Sequence, residues 1–110
     1  MSKICSSQDV QAALKSGAEV FVLFYADWCP FSQAFLPAYE KHAAGRDNEF
    51  LRVLFDGNQD LFDKHSINVY PTVLFFKGGQ VFKRLDGKHL AGLKEKELAE
   101  LIATCGKSRD

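Results

Sequence analysis

Residues Val20-Phe21-Val22-Leu23-Phe24-Tyr25-Ala26 form an apolar run with no polar side chain in alternation. A strand with one face in water alternates. A run like this one reads as a strand buried on both faces, in a sheet covered by helices on each side. The run leads straight into Asp27-Trp28-Cys29-Pro30-Phe31-Ser32. Beyond it, Phe35, Ala38, Tyr39 and His42 share one helical stripe, with Pro37 expected to bend that helix. Cys29 is therefore expected where a central strand gives way to a helix.

The rest of the chain supplies partners for that strand. Ser6 and Ser7 are candidate N-caps for a short helix carrying Val10, Ala13 and Leu14, with Lys15 in its last turn and Gly17 at its end. Phe50 to Phe55 reads as a second central strand stopped by Asp56-Gly57-Asn58, and Leu61 to His65 as a short helix. Thr72–Lys77 and Gln80–Leu85 flank Gly78-Gly79, a two-residue hairpin signal. Leu98, Leu101, Ile102 and Cys105 make an amphipathic helix capped by Gly106. The order β-α-β-α-β-α-β-β-α calls for a mixed sheet with helices on both faces. With 110 residues and no internal linker, one domain spanning 1–110 is expected.

Composition excludes several classes. Lys+Arg and Asp+Glu both number 14, so charge offers no reason for a nucleic-acid or anionic-membrane partner. No apolar run approaches the ~20 residues of a membrane span, and none of leader length follows Met1, so a cytoplasmic protein is expected. Ten Phe and one Trp supply a core without disulfide staples. The three cysteines, Cys5, Cys29 and Cys105, lack the pairing of a disulfide framework or a zinc site, and no metal is expected. Cys5 and Cys105 read as packing residues, and His42, His65 and His89 as solvated or partly packed.

Phe24-Tyr25-Ala26-Asp27-Trp28-Cys29, Pro37, Tyr70-Pro71-Thr72, Gly78-Gly79 and Gly87 together make the chain resemble thioredoxin over nearly its whole length. The resemblance implies an α/β thioredoxin fold, a mixed central sheet of about five strands flanked by about four helices. It also implies a cis peptide at Tyr70-Pro71 set against the Cys29 thiol, and pairing of the Tyr70 backbone with an extended substrate. Trp28, Phe31, Val69, Tyr70 and Pro71 would then surround Cys29 as the substrate-binding rim. The chemistry stands on its own footing. A cysteine at a helix start faces unpaired N–H groups and the positive end of the helix dipole, which favour thiolate over thiol. Thiolate is the attacking species in disulfide exchange. Pro30 suits the first helical turn, where its missing N–H has no intrahelical partner.

Two departures narrow the reading. Thioredoxins use a Cys-x-x-Cys pair, and here the second position is Ser32. A hydroxyl cannot resolve a mixed disulfide, though Ser32 is placed to donate a hydrogen bond to the Cys29 thiolate. Thioredoxins also bury an acid where this chain has Leu23, and losing acid and resolving thiol together is physically coherent. In addition, Phe31 stands where proline is usual and Gln33 where lysine is common. The expected activity is monothiol exchange. Cys29 attacks protein disulfides or glutathionylated cysteines, and an external thiol, with glutathione as an eligible co-substrate, completes the cycle. No bound cofactor is expected, and the protein is expected to act as a monomer. Other readings stay open at this point. Ser32 could replace a cysteine of a dithiol parent, or the rim could bind client proteins without catalysis. The Cys29-Pro30-Phe31-Ser32 skeleton is also shared with monothiol glutaredoxins that carry an iron–sulfur cluster with glutathione.

Overall fold

The computed structural model describes residues 1–106, so the last four residues of the expected domain lie outside it. Nine elements occur in the expected order. They are β1 (Lys3–Cys5), α1 (Ser7–Lys15), β2 (Val20–Tyr25), α2 (Pro30–Ala43), β3 (Phe50–Leu54), α3 (Gln59–Lys64), β4 (Thr72–Lys77), β5 (Gln80–Asp86) and α4 (Glu95–Thr104). The sheet runs β1-β3-β2-β4-β5. Strands β1, β3 and β2 are parallel, whereas β4 is antiparallel to β2 and to β5. Among the described residues no helix is long and apolar enough to cross a membrane.

All six residues of β2 are buried, as the unalternating run requires. Its side chains divide the core in two. Phe21, Leu23 and Tyr25 pack with Phe35, Tyr39, Leu98 and Ile102 of α2 and α4. Val20, Val22 and Phe24 pack with Val10, Leu61 and Phe62 of α1 and α3. Cys5 belongs to the second cluster and Cys105 packs on the first. The sheet lies between these two thiols, which rules out a disulfide joining them. Burial, then the Asp9 carboxylate, pushes the Cys5 thiol up, away from reactivity.

Local chemistry sets the boundaries. Of the two candidate serines, Ser6 caps α1. Its hydroxyl accepts the Asp9 N–H and the Asp9 carboxylate accepts the Ser6 N–H, both at 3.1 Å. Ser7 is buried instead; its backbone N–H donates to Asn58 Oδ1 and its hydroxyl to Asp60, both at 2.8 Å, tying the start of α1 to that of α3. Helix α3 begins two residues before the expected Leu61, with Asn58 at its N-cap position. Gly78 and Gly79 both have positive φ, +61° and +81°, as a two-residue hairpin turn demands.

Candidate functional site

Parallel β2 and β3 end side by side, with Tyr25 opposite Leu54. The loops that leave these two strands therefore meet at one end of the sheet, where open α/β sheets place their sites. After β2 the chain turns through Asp27 and Trp28, and the Cys29 N–H donates to the Ala26 carbonyl at 3.1 Å. Cys29 is the N-cap of α2, Pro30 its first residue, and the Cys29 carbonyl accepts the Gln33 N–H at 3.0 Å. No side chain caps this helix start, so its N–H groups face the cysteine. The Cys29 residue is 8% exposed.

Across from it the Tyr70-Pro71 peptide is cis, as the resemblance implied. Cys29 Sγ lies 3.9 Å from the Tyr70 carbonyl oxygen, at the long end of a thiol hydrogen bond. Thr72 Oγ1 donates to the Val69 carbonyl at 2.7 Å and accepts the Gly87 N–H at 3.4 Å, fixing the turn that carries Val69, Tyr70 and Pro71. Pro71 has no N–H, and the Tyr70 N–H makes no hydrogen bond among the described residues. That leaves backbone free beside the thiol for an incoming strand. Partial burial, then Asp63 and Cys29, pushes the Tyr70 phenol up, so it stays neutral.

Trp28 is 58% exposed and stands edge-on to Tyr70 and Phe55, with ring centroids 5.9 and 6.3 Å apart. Its indole N–H donates to Asp56 at 3.4 Å. Phe31 is half-buried, its ring close to Gly92 in the loop between β5 and α4. The residues named from the sequence thus converge on one end of the sheet. Phe55 and Phe62 join them unannounced, both packed against Tyr70 at 5.5 and 5.7 Å. Phe55 was expected inside a strand, but β3 stops at Leu54 and the ring swings into the rim. Its position just past the end of a parallel strand was the available signal.

Ser32 differs from expectation. Its side chain is buried, with the residue 2% exposed, and its hydroxyl oxygen accepts the Ala26 N–H at 3.3 Å. No hydrogen bond joins it to Cys29 among the described residues. The backbone N–H just past the end of β2 needs a partner, and the hydroxyl serves it. Leu23 is fully buried among apolar neighbours on the α2 and α4 face. No three His, Cys, Asp or Glu side chains gather into a metal-binding group among the described residues.

A strand-to-helix cysteine facing a cis-proline turn, on a five-stranded mixed sheet, defines a class of thiol–disulfide oxidoreductase. The thioredoxin family model matches residues 2–104, and the chain belongs to that family. A thioredoxin-like protein of Fusarium culmorum is 35% identical over 105 residues, covering 84% of this chain and 87% of that protein. Endoplasmic reticulum resident protein 44 of Homo sapiens is 33% identical over 86 residues. That match covers 71% of this chain but only 21% of the longer relative. Chlamydomonas reinhardtii thioredoxin f2 superposes with a TM-score of 0.83 at 22% identity, covering 99% of this chain and 100% of that one, and shares the fold.

Proposed function

We propose that the chain performs monothiol thiol–disulfide exchange on protein substrates, with Cys29 as nucleophile. The observation that carries this reading is the pairing of Cys29 with Ser32. A thiol at an uncapped helix start faces free backbone at Tyr70, while the position one turn on holds a buried hydroxyl engaged by Ala26. The Cys29 thiolate attacks one sulfur of a substrate disulfide. That S–S bond breaks, a Cys29–S–S bond forms, and the second sulfur leaves as a thiolate. With a glutathionylated protein, attack on the glutathione sulfur frees the protein thiol. A second glutathione thiolate then attacks the mixed disulfide, releasing oxidised glutathione and the Cys29 thiolate. Ser32 has no sulfur to take part, so the second thiol comes from outside. Fully buried Leu23 supports Ser32 as part of this design, since no acid stands ready for a resolving thiol.

The test measures release of a peptide thiol from a glutathionylated peptide, with and without free glutathione. The unmodified protein should turn over only with glutathione, and Cys29→Ala should fall to the uncatalysed rate. Ser32→Cys should gain reduction of protein disulfides without an added monothiol, to the extent of one equivalent. Exchange that persists in Cys29→Ala overturns the reading.

A further inference from the structure

The loop between β5 and α4 is seated against the site at both ends. A Cβ on Gly87 would stand 2.4 Å from the Pro71 carbonyl oxygen and 3.4 Å from Val69 Cγ1. A Cβ on Gly92 would stand 2.9 Å from Phe31 Cβ. Close approach of backbone to both walls therefore demands glycine at these two positions. Between them the chain makes a tight turn. The Lys88 carbonyl accepts the N–H groups of Ala91 at 3.0 Å and Gly92 at 2.8 Å, and the Lys88 N–H donates to the Gly92 carbonyl at 3.0 Å. Lys88 Nζ also lies 3.7 Å from Glu97 of α4, pinning the base of the turn.

At the tip stands Leu90. It is 76% exposed, more than any other large hydrophobic residue described, and its φ is +62°. Only Ala91 separates it from Gly92, so its Cα lies within about 7 Å of the glycine that packs on Phe31. Both features oppose stability. The left-handed conformation crowds the Cβ of leucine, and asparagine or glycine would fit there with less strain. Exposed apolar surface gains nothing from folding. Strain kept at the edge of a reactive centre points toward a role there.

We propose that Leu90 is a substrate-recognition residue that packs on an apolar side chain next to the reacting cysteine of an extended polypeptide. The proposal rests on the reading of Cys29 above. The occupant is a polypeptide because the free backbone at Tyr70 pairs with an extended chain. Successive side chains of such a chain point to opposite sides. In the proposed arrangement those on one side would meet Trp28, Tyr70 and Phe55, and those on the other Phe31 and Leu90. The turn that carries Leu90 is joined to the rim around Cys29 through its two ends, Gly87 against Pro71 and Val69 and Gly92 against Phe31. A small disulfide that reaches only the thiol makes no use of it.

The test compares kcat/KM of the unmodified protein, Leu90→Ala and Leu90→Asn on two substrates, with glutathione as second thiol. One is a glutathionylated peptide with leucine beside its cysteine, and the other is 2-hydroxyethyl disulfide. Both variants should lose about tenfold on the peptide, the scale of burying part of a leucine side chain, and nothing on the small disulfide. Leu90→Asn should at the same time melt higher than the unmodified protein, because asparagine accepts positive φ. Equal losses on both substrates, or an undiminished rate on the peptide, overturn the role of Leu90 while leaving Cys29 in place. No reaction of the unmodified protein with either substrate overturns the Cys29 reading and this one with it.

Discussion

On the face covered by α2 and α4, Phe21 stacks on Phe50 at 4.9 Å and tilts against Phe75 at 4.6 Å, and none of these rings touches Trp28 or Tyr70. The Tyr39 hydroxyl lies 3.1 and 2.6 Å from the Phe21 and Leu51 carbonyl oxygens, and burial keeps that phenol well up and neutral. On the face covered by α1 and α3, ring contacts run from Phe76 through His65, Phe24 and Phe62 to Tyr70 and Trp28. The two faces bury similar side chains. One is closed around the sheet, and the other runs from the interior to the edge of the reactive thiol. Equal losses of packing should therefore have unequal effects on exchange.

The largest effects test that contrast directly. Phe50→Ala and Phe62→Ala each remove a fully buried ring and should each cost about 3–5 kcal/mol, read as a drop in urea midpoint. Among molecules still folded, Phe50→Ala should keep its kcat/KM on a glutathionylated peptide. Phe62→Ala should lose roughly tenfold, because Tyr70 and Phe55 lose the ring that supports them. Matching kcat/KM values in the two variants would abolish the distinction between the faces. Tyr39→Phe comes next. It strips buried carbonyls of their donor at about 1–3 kcal/mol, and it should leave kcat/KM unchanged because Tyr39 lies on the closed face.

The legibility of the molecule divides along similar lines. Strand β2 was plain because a doubly buried strand has no alternation to disguise it. Cys29 and Pro30 were plain because a helix start has its own chemistry. The hairpin was plain because two adjacent positive φ angles call for glycine. Each of those signals is local. The rim beyond Trp28, Phe31, Val69, Tyr70 and Pro71 depends on distant segments meeting. Phe55 read as one more strand residue, and Phe62 as helix interior. The sequence places the Ser32 hydroxyl beside the Cys29 thiolate, and only the end of β2, whose Ala26 N–H it accepts, shows the partner it has. Leu90 carries no periodicity, and its conformation depends on contacts made by glycines on either side of it.

Trp28→Ala inverts the Tyr39 result. With 58% of the residue in solvent, stability should change by less than about 1 kcal/mol. Exchange with peptide substrates should still fall about tenfold, since the ring forms one wall of the groove. A loss of stability without a loss of rate would place Trp28 in the fold rather than in recognition.

The smallest expected effect is a dependence on pH that belongs to the α1 and α3 face. His65 lies between Phe24 and Phe76, and its Nε2 is buried without a hydrogen-bond partner. Burial first, then the charges of Lys64 and Arg84, lowers its pKa from 6.5. The folded state therefore resists the proton that the unfolded chain accepts. Above the unfolded value both states are neutral at this site, and His65 adds no pH dependence. As pH falls through 6.5 the unfolded chain binds protons first, and stability declines until the folded pKa is passed. Between about pH 7.5 and pH 5 the urea midpoint should fall more steeply in the unmodified protein than in His65→Phe, which has no such proton to bind. Parallel profiles would show that the ring takes up its proton in place, and that this face opens far enough to hydrate it without unfolding.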